Sequence, residues 1–174
     1  MIGDAVISSW NDPGAQDVWT LAADEIALLP GMTDQGRLGF AIQLKFMQLH
    51  GRFPERHDEI DRSVVQWLAT QLGTPAEAFS SYVLNGRQGQ RHQRTIRVVL
   101  GFRPTTGHDL QQLDQWLCRD ILPFDPQARH GRDVALDWCR AHHLEPPARD
   151  HLDRVIRSAV YRHETRQNQR FTCA

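Results

Sequence analysis

Several residue types and segment types are scarce in this chain, and each scarcity excludes a class of protein. It has only three cysteines in 174 residues, and none lies at metal-binding spacing. This excludes a disulfide framework and indicates reduced thiols. No segment approaches the roughly 20 apolar residues of a membrane span. The first sixteen residues have no basic segment and no long apolar run, so we expect no signal peptide, no membrane contact and a cytoplasmic location.

Motifs of catalysis are also missing. The chain has no glycine-rich phosphate loop, no nucleophile elbow and no His-Glu-x-x-His zinc motif. Cys139, His142 and His143 lie close together in the sequence. A zinc site would need further ligands from other elements, and Cys139 is expected to face the core. We therefore predict no catalytic residue, no metal and no cofactor, although a small metal-dependent enzyme remains an alternative.

Lysine is nearly absent, since nineteen of the twenty basic residues are arginine and Lys45 is the exception. Arginine forks onto phosphates and base edges in a way that lysine cannot, although a GC-rich genome also favours arginine codons. The charges are distributed unevenly: residues 1–86 hold five basic and eleven acidic residues, whereas residues 87–174 hold fifteen and ten. This asymmetry indicates a basic surface on one side of the molecule.

Apolar residues recur at helical spacing along most of the chain, and no segment shows sustained period-2 alternation. The pattern predicts an all-α fold, a compact bundle of about eight helices joined by short loops. We expect a mobile arm over 1–16, one helical domain over 17–168 and the start of a linker over 169–174. The expected helices cover 17–29, 33–49, 63–73, 75–83, 86–101, 105–122, 131–143 and 146–166.

The fifth expected helix has the strongest charge pattern. The stretch GRQGQRHQRTIRVVLGFR, Gly86 to Arg103, contains five arginines and no acid. At about 100° per residue, the arginines at 87, 91 and 94 form one face and the aliphatic residues at 96, 99 and 100 the opposite face. With no acid at i+3 or i+4, the cationic face is solvated, pairs with the acidic first half of the chain, or binds a phosphate backbone. The residues concerned are Arg87, Arg91, Arg94, Ile96, Val99 and Leu100, with Arg97 to the side and Arg103 in the following loop.

The seventh and eighth expected helices form a second basic element near the C-terminus. They are joined by the short turn LEPP, which is similar to a helix-turn-helix. Helical hairpins are common, so the spacing alone does not establish that motif. On the eighth helix, an apolar stripe is expected to face inward, at Leu152, Val155, Ile156 and Ala159. The outward side carries Arg154, Arg157 and Tyr161, which suit phosphate or base contacts.

Two residues of the second expected helix are assigned structural roles. Gly39 in mid-helix costs about 1 kcal/mol relative to alanine, so a close approach of a neighbouring element is the expected reason. Arg37 is expected to make an internal contact rather than to touch DNA.

Four segments, in order, resemble the Tn-3 family of transposases, which move replicative class II bacterial transposons. The resemblance covers about residues 20 to 166. It includes the Arg-Leu-Gly-Phe-Ala-x-Gln-Leu signature and the arginine-rich helix that ends in Leu-Gly-Phe-Arg-Pro. The first sixteen residues do not match, and Thr105-Thr106 stands where the family often has Phe-Thr. The segments are RLGFAIQLKFMQLHGRFP, VVQWLATQLGTPAEAFSSYV, RQGQRHQRTIRVVLGFRP and LEPPARDHLDRVIRSAVYR.

The resemblance implies a bacterial DNA-binding module that recognises terminal inverted repeats. In that family, strand transfer belongs to an RNase-H-like domain far downstream, so the resemblance implies a non-catalytic chain. The implied partners are double-stranded DNA at transposon ends and other transposase protomers. The alternative is an assembly module without DNA contact. The residues implied to face DNA are Arg87, Arg91, Arg94, Arg97, Arg103, Arg154, Arg157 and Tyr161.

Overall fold

The computed structural model describes residues 14–172 and divides into two compact units. Unit 1 ends at Gly101 and unit 2 begins at Phe102. Helices dominate both units, so the prediction of an all-α fold is confirmed. The predicted domain boundaries stay a prediction, and residues 1–13 of the predicted arm lie outside the described residues. None of the helices within residues 14–172 is long and apolar enough to cross a membrane.

Unit 1 is arranged around one helix that is buried on almost all sides. Every residue from 38 to 47 of this helix is buried, as expected for a helix at the centre of a core. Thr33 caps its start by accepting a hydrogen bond from Gly36 N at 3.2 Å, and Gly51 ends it at φ +65°. The helices of unit 1 are α1 (Ala15–Val18), α2 (Ala23–Ile26), α3 (Asp34–His50), α4 (Arg62–Leu72) and α5 (Arg87–Leu100), with 3-10 turns at His57–Glu59 and Ala76–Ser81.

The prediction of a single helix over 17–29 is wrong, because the helix is interrupted between α1 and α2. At the break, Leu21 N donates to Gln71 Oε1 at 2.9 Å, and Gln71 Nε2 donates to the Trp19 carbonyl oxygen at 3.4 Å. Trp19 and Leu21 are both buried. Contacts with α4 therefore replace the helical hydrogen bonds that the local pattern predicts.

Unit 2 has its own apolar core, to which each of its helices contributes. The long α8 packs against the other helices of the unit, and Leu113, Leu122, Cys139 and Leu144 are fully enclosed. The elements are β1 (Arg103–Pro104), α6 (Gly107–Trp116), a π-helical turn (Leu117–Ile121), α7 (Gly131–Ala141), β2 (Leu144–Glu145) and α8 (Arg149–Thr172).

The connection between α7 and α8 differs from a tight helix-turn-helix. It runs over 142–148 and contains β2, which pairs in parallel with β1. The turn of a helix-turn-helix has roughly three or four residues. The α8 helix also continues to Thr172, beyond residue 169, where the sequence predicted a linker to begin.

Candidate nucleic-acid interface

The arginine-rich helix α5 is held to unit 1 by a mixed polar and apolar underside. Its buried residues are Gly89, His92, Gln93 and Ile96. The His92 ring packs edge-on to Phe40 with centroids 5.3 Å apart, and Gln93 Nε2 donates to the Leu84 carbonyl oxygen at 3.4 Å. The helix ends at Gly101, at φ +70°, as the sequence predicted.

A hydrogen-bonded chain of buried side chains fixes the rotation of α5. Gln43 Nε2 on α3 donates to the Tyr82 hydroxyl at 2.7 Å, and that hydroxyl lies 2.7 Å from His92 Nδ1. Burial, together with the charge of Arg91, lowers the pKa of His92. A neutral ring is therefore favoured, and its Nδ1 can accept a hydrogen bond from the Tyr82 hydroxyl. Burial also raises the pKa of Tyr82, so both partners are held neutral.

Sequence reasoning assigned the wrong residues to part of this underside. Ile96 is fully buried, but Val99 is 47% exposed and Leu100 is half-buried. His92 and Gln93 occupy the buried positions instead, because hydrogen bonds from neighbouring elements satisfy them. A helical projection places both on the Ile96 side of the helix, which is the signal that could have identified them.

Three arginines form the outward face of α5, and we call this set the α5 cationic face. Arg87, Arg91 and Arg94 are all exposed. None of them forms an ion pair with an acidic side chain among residues 14–172. Their outward orientation is confirmed, whereas contact with DNA stays a prediction. Arg97 differs, since it is half-buried with its guanidinium 5.9 Å from the centre of the Phe53 ring.

Arg103 is engaged in a two-pronged ion pair within unit 2. Its Nη1 and Nη2 donate to the two carboxylate oxygens of Asp109 at 2.7 and 2.8 Å. Asp109 also accepts hydrogen bonds from the backbone and hydroxyl of Thr106, at 2.8 and 2.6 Å, at the start of α6. Arg103 therefore has an acidic partner at i+6, beyond the i+3 and i+4 positions considered in the sequence, and this ion pair joins β1 to α6. Contact of Arg103 with DNA stays a prediction.

An Asp109→Asn variant is expected to lose about 1 kcal/mol of unfolding free energy at pH 7, because Asp109 closes the capping box with the N-cap Thr106 and an amide NH2 would replace one of the two oxygens that accept from Arg103. The hydrogen bonds from Arg103 and Thr106 hold the pKa of Asp109 well below its usual range. A lowered pKa contributes stability above the unfolded value near 4, and that stability is lost as the pH falls below it. The variant should therefore show a flatter loss of stability between about pH 5 and pH 2. Urea unfolding across this range measures it.

The exposed Asp133 on α7 provides the matched control. An Asp133→Asn variant removes one charge from the same unit and leaves the hydrogen bonds between Arg103 and Asp109 in place, so it separates a general effect of charge from the loss of that pair. Equal pH profiles for Asp109→Asn and the wild-type chain would contradict the role given to the Arg103–Asp109 pair.

The outward side of α8 carries the second predicted set. Arg154 and Arg157 are exposed and Tyr161 is 70% exposed, which confirms their orientation. On the opposite side, Leu152 and Ala159 are buried, and the half-buried Val155 and Ile156 pack against the unit 2 core.

Arg157 and Tyr161 lie in a shallow groove of about 720 Å³ between the start of α7 and the middle of α8. Arg129 lines the same groove and is exposed. Arg132 lies there as well, but it pairs with Asp153, with Nη2 2.5 Å from Oδ2. This groove brings two of the predicted α8 residues, Arg157 and Tyr161, together with Arg129.

The residues that could have suggested a metal site do not converge. Cys139 is fully buried, and burial raises the pKa of its thiol to about 11. His142 and His143 are exposed, and His142 Nδ1 lies 2.8 Å from the Trp138 carbonyl oxygen. Within residues 14–172, no group of three or more metal-binding side chains could hold an ion.

Known proteins resemble this chain over most of its length. The transposase for transposon Tn3926 of Escherichia coli is 26% identical over 138 residues, which are 79% of this chain and 13% of that protein. The transposase for transposon Tn501 of Pseudomonas aeruginosa is 26% identical over 132 residues, or 74% of this chain and again 13% of the transposase. The chain thus matches only about an eighth of each relative.

A family model also matches the chain over residues 6–159, and its description is a domain of unknown function, DUF4158. This match spans both units up to the middle of α8. The resemblance to Tn-3 family transposases that the sequence indicated is confirmed by the two relatives. The chain therefore belongs to the DUF4158 family.

Proposed function

We propose that this chain is a DNA-binding module of a Tn-3 family transposase, and that it recognises the terminal inverted repeats of the transposon. The observation that carries the proposal is the α5 cationic face. Its three arginines are exposed, and no acid among residues 14–172 pairs with them. Such a face repels itself unless an anion approaches, and DNA phosphates release counterions when arginine neutralises them.

The proposed contacts come from both units. Arg87, Arg91 and Arg94 on α5 neutralise phosphates or approach base edges. Arg154 and Arg157 on α8 do the same from unit 2, and the Tyr161 hydroxyl or ring adds a polar or stacking contact. Arg97 and Arg103 are assigned a supporting role in this proposal. Arg97 packs beside Phe53, and Arg103 pairs with Asp109.

The similarity to transposases supports this reading. The two relatives are named as transposases of Tn3926 and Tn501, and a transposase acts on the ends of its element. We infer that catalysis resides outside the matched eighth of those proteins, and that this chain contributes binding rather than strand transfer.

The proposal is tested by the salt dependence of DNA binding. With five arginines on phosphates, the plot of log affinity against log salt concentration should have a slope of about −4.5, about 0.9 for each phosphate neutralised. The affinity should be higher for the element's terminal inverted repeat than for a scrambled duplex. Fluorescence anisotropy at several salt concentrations measures both. A flat salt response, or equal affinity for the two duplexes at every salt concentration, would overturn the proposal.

A double Arg91→Ala/Arg94→Ala variant should reduce the salt slope by about two and weaken binding roughly 10- to 100-fold. Alanine is the best helix former, so the helix itself should survive. Arg56→Ala is the control, because Arg56 is exposed in unit 1 but already pairs with Asp58. It should leave both slope and affinity unchanged. The variant Arg91→Lys/Arg94→Lys should keep the slope if the contacts are to phosphates, since charge is retained while the fork is lost.

An assembly role without DNA contact is the second candidate, and the exposed acids of unit 1 favour it. Several acidic side chains are exposed there, and they could pair with the α5 cationic face of another copy. Light scattering without DNA distinguishes the two roles. Self-association that weakens as salt rises, together with no DNA binding, would support the assembly role. The exposed acids are Asp17, Asp24, Asp34, Glu55, Asp58, Glu59, Asp61 and Glu77.

A further inference from the structure

One exposed apolar side chain continues the α5 cationic face towards the end of the helix. Val98 is 81% exposed. At about 100° per residue, its position in the helical projection falls between those of Arg91 and Arg94. The four residues at 87, 91, 94 and 98 lie within about 60° of one another. The outward strip of α5 is therefore three arginines followed by an aliphatic group.

The neighbouring exposed residue extends the apolar character of this strip. Thr95 lies next to Arg91 in the same projection and is exposed. Its hydroxyl donates to the Arg91 carbonyl oxygen at 3.3 Å, so its polar atom is already satisfied within the helix. Threonine and valine are both weaker helix formers than alanine, glutamine or arginine. Helix stability alone does not account for two β-branched residues at exposed positions.

Binding to phosphates does not account for them either. A phosphate backbone attracts cations and hydrogen-bond donors, and it offers nothing to a valine side chain. The major groove does, because the C5-methyl group of thymine projects into it and pairs with small apolar groups. The groove is about 12 Å wide and accepts an α-helix with its side chains. Arginines on the same strip fit guanine edges or the phosphates at the groove's rim.

We propose that α5 enters the major groove and that Val98, with Thr95 beside it, contacts thymine methyl groups of the bound sequence. This inference rests on the proposed DNA-binding function and adds the groove and one element of base preference. In this arrangement the α5 cationic face supplies affinity and Val98 supplies part of the selectivity. The contact is apolar, so it adds nothing to the salt slope.

The test replaces every thymine of the terminal repeat by deoxyuridine. This change removes only the methyl groups and keeps the phosphates and the base-pairing edges. The wild-type chain should bind the deoxyuridine duplex more weakly, by about fourfold for each methyl group that it buries. The salt slope should be the same for both duplexes. Anisotropy titrations with the full chain measure the ratio of the two affinities.

A Val98→Ser variant should bind the thymine duplex less tightly than the wild-type chain and should show a smaller ratio between the two duplexes. Val83→Ser is the matched control, since Val83 is 65% exposed in unit 1 but lies outside α5. It should retain the wild-type ratio. Circular dichroism should show unchanged helix content for both variants, because neither side chain is buried.

The outcomes separate this inference from the function on which it rests. Salt-dependent binding with equal affinity for the two duplexes would overturn the methyl contact and leave the DNA-binding proposal standing. A ratio that is the same in Val98→Ser as in the wild-type chain would also overturn it. Absence of DNA binding would overturn both.

Discussion

A Lys45→Met variant is expected to unfold with a free energy about 3–5 kcal/mol below that of the wild-type chain. Lys45 lies on the central helix α3 and is buried, and its Nζ is 2.8 Å from Oε2 of the buried Glu25. Glu25 also accepts hydrogen bonds from Ala22 N at 2.8 Å and from Gln48 Nε2 at 2.6 Å. Removing the lysine leaves a carboxylate enclosed without its counter-charge.

The loss should depend on pH in a defined direction. Burial raises the pKa of Glu25, but its hydrogen bonds, led by the one from Lys45, outweigh burial and hold the pKa below its usual value. In the wild-type chain this stability is present above about pH 4.5 and is lost as the pH falls. Without Lys45, burial raises the pKa of Glu25. Protonation in acid then removes the unpaired buried charge. The difference between variant and wild-type chain should therefore be largest near pH 7 and should shrink below about pH 4.

A Glu25→Gln/Lys45→Met double variant is the control for charge. Both charges are removed, and the amide oxygen can still accept from Ala22 N, while its NH2 can donate to the Gln48 amide oxygen once that amide turns over. The double variant should therefore recover part of the stability that the single variant loses. Urea unfolding followed by circular dichroism measures the free energies, and hydrogen exchange locates the change in α2 and α3. A double variant no more stable than Lys45→Met would contradict the unpaired-charge explanation.

A Gly89→Ala variant is expected to destabilise unit 1 by about 3 kcal/mol, although alanine normally favours a helix. A Cβ at this position would lie 1.9 Å from the Leu84 carbonyl oxygen and 2.6 Å from its carbonyl carbon. Both are backbone atoms, so they cannot rotate away as a flexible side chain could. Either α5 or the turn before it must move, and the buried Tyr82–His92 hydrogen bond is part of what is lost.

Gly107→Ala provides the comparison, because a Cβ at Gly107 meets nothing within 4 Å. It should change the unfolding free energy by less than about 1 kcal/mol. Hydrogen exchange in α5 should increase for Gly89→Ala and stay unchanged for Gly107→Ala. Wild-type stability and exchange in Gly89→Ala would show that α5 does not pack as closely on residues 83–84 as the structure indicates.

The boundaries of most elements could be predicted because their signals are local. Thr33, Asp61 and Thr106 each accept a hydrogen bond from a backbone N–H within the next three residues, and such caps can be recognised in the sequence. Gly51 and Gly101 end helices at positive φ, which glycine adopts without strain. The prediction of one helix over 17–29 was wrong because Leu21 N donates to the side chain of Gln71, fifty residues away, and not to a carbonyl within a helix.

Two structural roles predicted for α3 are confirmed. Arg37 Nη2 donates to the Leu72 carbonyl oxygen at 3.1 Å, which is an internal contact. At Gly39, an added Cβ would lie 2.4 Å from the Tyr82 ring, so a close approach is the reason for glycine. The partner itself could not be predicted, because it comes from a turn forty residues later.

The candidate site was predictable only in part. The periodicity of α5 placed Arg87, Arg91 and Arg94 outward, since a helix with one buried side must expose the opposite one. It could not show that Arg103 is already paired, because that ion pair joins a strand to the start of the next helix. Nor could it show that Val98 would be left exposed next to the α5 cationic face.

By itself, the sequence determined the all-α class, the caps, the outward arginines and the resemblance to Tn-3 family transposases, because each depends on residues within a few helical turns or on a linear match. Only the tertiary structure decided which polar groups are buried, with Lys45 held by Glu25 and His92 by Tyr82. It also decided the division into two units at Gly101. The reason is that burial and ion pairing depend on groups far apart in the chain, and the local pattern does not specify which of them meet.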